Sequence, residues 1–195
     1  MTEDSPREAQ GGKRGVRTAL LAAREASATP TVSVVASDFF GPRVMNAHAG
    51  ERLVPRVLAG KTVRVLGSAD QPHSFTYVPD LTAAMISAAH NPKLWNSVLH
   101  APTGPALTQR QLADRFAEAA GAPTARVKAL PGWLLRAAGL VSTDAKEIGE
   151  MLYQFDGPFV MDSGRSNEAL GLVPTPLTEA VASTVQWWRT RAAGT

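Results

Sequence analysis

The sequence predicts an α/β fold in which part of a parallel sheet is followed by a smaller, mostly helical layer. Three observations lead there. An amphipathic helical stretch runs directly into the β-branched, almost wholly apolar segment "TVSVVAS" at 31–37. Such a strand suits burial on both faces, as parallel sheets provide. Alternation then continues through "TVRVLGS" at 62–68 and "HSFTYV" at 73–78, and from about residue 108 helical patterns dominate. With 195 residues, 44% of them hydrophobic and 19% charged, the chain has the apolar content to bury one core.

Taken in order, "TEDSPREAQGG" reads as an exposed lead-in, and "KRGVRTALLAAREASA" places Val16, Leu20, Leu21 and Ala23 at helical spacing with charges opposite. The strand "TVSVVAS" ends in a Gly-Pro turn, after which "AGERLVPRVLAGK" reads as helical despite Pro55. The "HSFTYV" strand enters "PDLTAAMISAAHN", where Asp80 is placed to cap a helix. "WNSVLHAP" and "ARVKAL" are short strands, and "TQRQLADRFAEAAG" carries a capping box, Thr108 with Gln111, and a terminating Gly121. "PGWLLRAAGL", "TDAKEIGEMLYQF", "SNEALG" and "PLTEAVASTVQWWRTRAA" read as helices. On the last, one of Trp187 and Trp188 is expected in the core and the other partly exposed.

Composition removes several classes of function. The formal charge is +3, but cations alternate with acids and no basic run is interleaved with aromatics, so no nucleic-acid partner is expected. There is no cysteine, hence neither disulfides nor thiolate chemistry, and a reducing cytoplasmic location fits. His48, His73, His90 and His100 lack metal-ligand spacing, so no metal is expected. No apolar run has the length of a membrane span or signal core, so no membrane partner is expected either. The "GGKRG" stretch follows no strand and matches neither phosphate-loop pattern, so its amides have no scaffold to aim them at a phosphate.

The segment "ASDFFGPRV" at 36–44 is the most distinctive feature, since it sets a carboxylate, two aromatic rings and a Gly-Pro turn where a buried strand stops. From the residues alone two readings stand. Asp38 caps the turn while Phe39 and Phe40 pack inward, or the turn faces a ligand at the carboxyl end of the strands, where open α/β sheets bind them.

In order, "VVASDFFGPRV", "LVPRVLAGKTVRVLGSADQPHSFTYVPDLTAAM", "LHAPTGPALTQRQLADRFAEAAG" and "LGLVPTPLTEAVASTVQWWR" resemble the C-terminal portion of an atypical extended short-chain dehydrogenase/reductase, the NAD(P)-dependent epimerase/dehydratase group. The resemblance runs from about Glu3 to Arg189. It implies a Rossmann-like parallel sheet with a helical substrate-binding region, NAD or NADP as cofactor, and a small-molecule substrate. It further implies one truncated domain over 1–195, sheet-associated at about 1–45 and 63–102, with the N-terminal nucleotide-binding half missing. The turn residues Ser37, Phe40, Gly41 and Pro42 would then lie beside the nicotinamide, and Asp38, His73 and Tyr77 would face the substrate.

Two departures qualify the likeness. The family's acid/base tyrosine and its lysine partner fall at places held here by Lys13 and Arg17. A lysine exchanges protons near neutrality only when burial or a neighbouring cation lowers its pKa, and surface cations on a helix are the plainer reading. The asparagine and arginine that grip a diphosphate in nucleotide-sugar epimerases correspond to Asp38 and His73. A carboxylate repels a diphosphate and histidine lacks the guanidinium fork, so a substrate other than a nucleotide sugar is expected. The function expected is an NAD(P)-dependent epimerase/dehydratase-like oxidoreductase fragment, the alternative a non-catalytic binding or regulatory module. Without the earlier strands, "TVSVV" and the face of "VRTALLAA" would expose an apolar edge, so the chain is expected to aggregate, to homo-oligomerise or to need a longer start. Trp133, Met151, Tyr153 and Phe155 are expected to line the helical layer over the cleft.

Overall fold

The computed structural model describes residues 1–6, 12–130, 149 and 152–193, without the side chains of residues 12–14 and 17. The first helix, α1 (Gly12–Glu25), is strongly amphipathic, with Leu21 buried while Val16 and Leu20 stay exposed at 54% and 66%. The strand β1 (Ser33–Val35) follows, then β2 (Asp38–Phe40), with Ala36 and Ser37 as the break between them. Next come α2 (Val54–Leu58), β3 (Val63–Leu66), β4 (Phe75–Tyr77), α3 (Val78–Ala89), a short 3-10 turn (Pro92–Leu94) and β5 (Val98–His100). The described elements end with α4 (Gln109–Ala119), β6 (Val127–Leu130), α5 (Tyr153–Asp156), α6 (Gly164–Leu170) and α7 (Leu177–Ala193).

Every described strand pair is parallel, as the apolar strands require: β1 with β5, β2 with β4, and β3 with β6. The main core lies between the β2–β4 and β3–β6 pairs and helices α2, α4 and α7. It is filled by Phe40, Val54, Val63, Val65, Phe116 and Trp188 among others. A smaller cluster, Ala84, Ala88, Leu99 and Leu170, joins α3 and α6 to β5. Trp188 is in the core and Trp187 packs against it from a partly buried position.

Local chemistry explains most boundaries. Thr108 Oγ1 accepts from the Gln111 amide at 3.0 Å, and the Thr108 amide donates back to Gln111 Oε1 at 2.8 Å, which completes the capping box that starts α4. Gly121 follows the helix with a positive φ. Pro55, which looked out of place in a helix, stands within the first two positions of α2 and opens it. That helix is much shorter than "AGERLVPRVLAGK", because residues before Val54 form turns instead.

Asp80 requires a correction. It sits in the first turn of α3, whose N-cap is Tyr77, so Asp80 is not the cap. Its carboxylate reaches across to Thr175, accepting from the amide at 2.9 Å and the hydroxyl at 2.6 Å. The predicted helix "PGWLLRAAGL", most of "TDAKEIGEMLYQF", and with them Trp133 and Met151, lie outside the described residues.

Candidate functional site

The strand end carrying Asp38 and the segment preceding β4 meet side by side. In the β2–β4 register Asp38 pairs with Phe75, which places His73 two residues earlier on the same face of the strand. Residues 72–74 are pinned from both flanks. His73 and Leu107 exchange backbone hydrogen bonds of 2.9 Å, while Phe159 donates to the Pro72 carbonyl at 2.8 Å and accepts from the Ser74 amide at 2.9 Å. The result is a backbone with little freedom beneath a buried imidazole.

His73 Nε2 lies 2.8 Å from Asp38 Oδ2, and Nδ1 lies 3.1 Å from the Gln154 carbonyl oxygen. The ring is only 2% exposed, against 28% for the Asp38 side chain. Phe155 stacks on one side of it, centroids 5.0 Å apart and planes within 9°, and Phe159 stacks at 5.2 Å. Phe75 completes the aromatic surround at 4.9 Å. His73 is thus a core residue with both ring nitrogens engaged.

His48 belongs to the same cluster. Its ring packs on Phe155 at 4.7 Å, and its Nε2 accepts from the Leu66 amide at 3.4 Å. Burial holds its pKa below the ordinary histidine value, with the charges of Arg52 and His73 acting in the same sense. The Asp38 carboxylate and the Gln109 side chain oppose that shift. Gln109 is itself anchored, donating to the Leu66 and Ser68 carbonyls at 2.9 and 2.8 Å. This steadies the turn at Gly67, whose positive φ and missing Cβ let Phe155 approach: a Cβ there would meet Phe155 Cβ at 2.7 Å.

The other expected site residues are distributed differently. Ser37 is consumed by the fold, its hydroxyl donating to the Ser74 carbonyl at 2.6 Å and its amide to Thr76 Oγ1 at 3.0 Å. Phe40 is 3% exposed and packs on Tyr77 and Phe116, so this ring faces the core. Gly41 has φ +141, and a Cβ there would lie 3.3 Å from the Tyr77 ring, so its close approach is made to Tyr77. Pro42 is half-buried in the following turn. Tyr77 lines a separate apolar cleft of about 240 Å³ with Asp80, Leu107 and Pro174–Leu177. Lys13 and Arg17 lie on α1, but their side chains are outside those described.

Sequence reasoning missed His48, Gln154 and Phe159. Nothing in their spacing ties positions 48, 154 and 159 to 38 and 73; only the fold brings them together. Among the described residues no group of histidines and carboxylates is arranged to hold a metal, and no helix is long and apolar enough to cross a membrane.

Comparison with known proteins bears on the fold. The model of the NAD dependent epimerase/dehydratase family matches residues 10–97, the stretch that runs from α1 past the Asp38 turn and β4. The chain's fold is similar to UDP-glucuronic acid 4-epimerase from Bacillus cereus, crystallised with NAD, at 15% identity and a TM-score of 0.69 over 100% of this chain and 56% of that one. A dTDP-glucose 4,6-dehydratase double mutant from Streptomyces venezuelae overlays with a TM-score of 0.71 at 18% identity, again over 100% and 56%. UDP-glucose 4-epimerase from Thermotoga maritima gives 0.66 at 20% identity, over 90% of this chain and 51% of that one. At these identities the likeness concerns the fold. The chain spans about half the length of the solved structures it matches. No curated protein matches it. The family's α/β arrangement is present here as a partial Rossmann-like fold.

Proposed function

We propose that this chain forms the substrate-side part of an NAD(P)-linked epimerase/dehydratase-like oxidoreductase whose substrate is a small molecule other than a nucleotide sugar. The observation that carries the reading is the Asp38–His73 pair, 2.8 Å apart, at the turn that the family match covers. A substrate settling there would meet a carboxylate held at fixed orientation by a buried ring. It would not meet the cationic fork that grips a diphosphate.

NAD or NADP enters this proposal by resemblance. A bound nicotinamide would supply hydride transfer. The described residues fit it poorly: Ser37 spends both polar groups on the fold, Phe40 is buried, and Gly41 faces Tyr77. What these residues do by themselves is position a substrate and exclude water: Phe155 and Phe159 fix the His73 ring, and His73 fixes Asp38.

A second reading, a binding or regulatory module without turnover, is favoured by Lys13 and Arg17 at the places of the catalytic tyrosine and its lysine partner. Thermal unfolding of the purified chain with NADH and with NADPH separates the two. Stabilisation by either nucleotide supports the oxidoreductase reading, and a cooperative transition that neither nucleotide moves favours the module.

A further inference from the structure

The Asp38–His73 pair is asymmetric in a way that bears on what it can bind. Its histidine end is sealed, 2% exposed between Phe155 and Phe159, whereas the carboxyl end is 28% exposed. Asp38 Oδ2 is taken by His73 Nε2, and His73 Nδ1 faces the Gln154 carbonyl. The carboxyl group is therefore the end of the pair that solvent or a ligand can reach. Asp38 Oδ1 has no hydrogen-bond partner among the described residues.

Resting on the reading of this site as the substrate end, we propose that Asp38 is its specificity-determining residue. Oδ1 accepts a hydrogen bond from the hydroxyl of an uncharged, polyhydroxylated substrate and turns away phosphate esters. The chemistry is one of donors and acceptors. A hydroxyl donates to a carboxylate, whereas a phosphate group brings negative charge against it and is repelled.

The test needs no nucleotide, so its outcome is independent of whether NAD(P) binds. The purified chain is titrated with D-glucose, myo-inositol and glycerol and with their monophosphates, and the ring carbon-proton NMR signals of His73 and His48 are followed. At least one polyol is expected to shift the His73 signal, with its monophosphate binding at least tenfold more weakly. Asp38→Asn should weaken that polyol about tenfold, the scale of one hydrogen bond to a charged group, and narrow the discrimination. Silence of His73 with all three polyols, equal or tighter binding of the phosphates, or unchanged discrimination in Asp38→Asn would overturn the proposal. If Asp38→Asn does not fold, the wild-type comparison of each polyol with its phosphate decides alone.

Discussion

Asp80 in the first turn of α3 holds Thr175, ninety-five residues away, by accepting from both its amide at 2.9 Å and its hydroxyl at 2.6 Å. This contact fastens the start of α7 to the end of β4, and so sets the wall of the Tyr77 cleft. Asp80→Ala leaves the Thr175 amide without its acceptor and is expected to cost about 1–3 kcal/mol, while Thr175→Val, which loses only the hydroxyl bond, costs about 1 kcal/mol. Urea unfolding of both variants checks the ranking. A loss below about 0.5 kcal/mol for Asp80→Ala, the range of ordinary surface changes, would show that the contact carries no tension between these elements.

Glycine substitutions offer an internally controlled test of the site's packing. Gly60 and Gly67 share nearly the same backbone, φ +63 and +60, but a Cβ at Gly60 meets nothing within 4 Å while one at Gly67 meets Phe155 Cβ at 2.7 Å. Both alanine variants bear the left-handed backbone penalty of about 1 kcal/mol, so any excess in Gly67→Ala reports the collision. Gly67→Ala is expected to be the less stable by more than 1 kcal/mol and to disturb the near-ultraviolet signal of the aromatic cluster. Equal losses would mean that Phe155 moves aside at little cost.

Acid should weaken the fold in two separate windows. Burial lowers the folded-state pKa of His48 below 6.5. The unfolded chain therefore binds the extra proton first, and stability present above about pH 6.5 is lost as pH falls toward the folded value. At Glu3, burial pushes the carboxyl up, but hydrogen bonds from Ser166 and the chain's own backbone, with His100 and Arg165 nearby, hold it below 4.5 overall. Its contribution is present above about pH 4.5 and is lost below. Unfolding free energy measured from pH 8 to pH 3 should show both declines. His48→Phe should flatten only the first and Glu3→Gln only the second; a wild-type profile flat between pH 7 and 5.5 would contradict the burial of His48.

Much of the fold was legible because it rests on local chemistry. The capping box at Thr108 and Gln111, the apolar strands and the paired tryptophans of α7 each announce themselves within a few residues. The Asp80 cap failed because a carboxylate that could bond its own helix found Thr175 instead, a partner no local pattern reveals. At the site, Asp38 and His73 were both singled out, but not as each other's partner, and nothing local marked His73 as buried. Its burial depends on Leu107, Gln154 and Phe159, which approach it from two distant parts of the chain. Phe40 and Ser37 sit two residues and one residue from Asp38, yet Phe40 packs on Tyr77 and Phe116, and Ser37 spends its polar groups on Ser74 and Thr76.

The most direct test of the account is the energetic coupling of Asp38 and His73, measured by a double-mutant cycle with Asp38→Asn, His73→Gln and the double variant in urea unfolding. A buried, sealed ring that depends on one carboxyl group should give a coupling of about 1.5 kcal/mol or more, with the double variant little worse than His73→Gln alone. Additive losses, within about 0.5 kcal/mol, would mean that the two side chains do not act as one unit, and the site built on them would have no foundation.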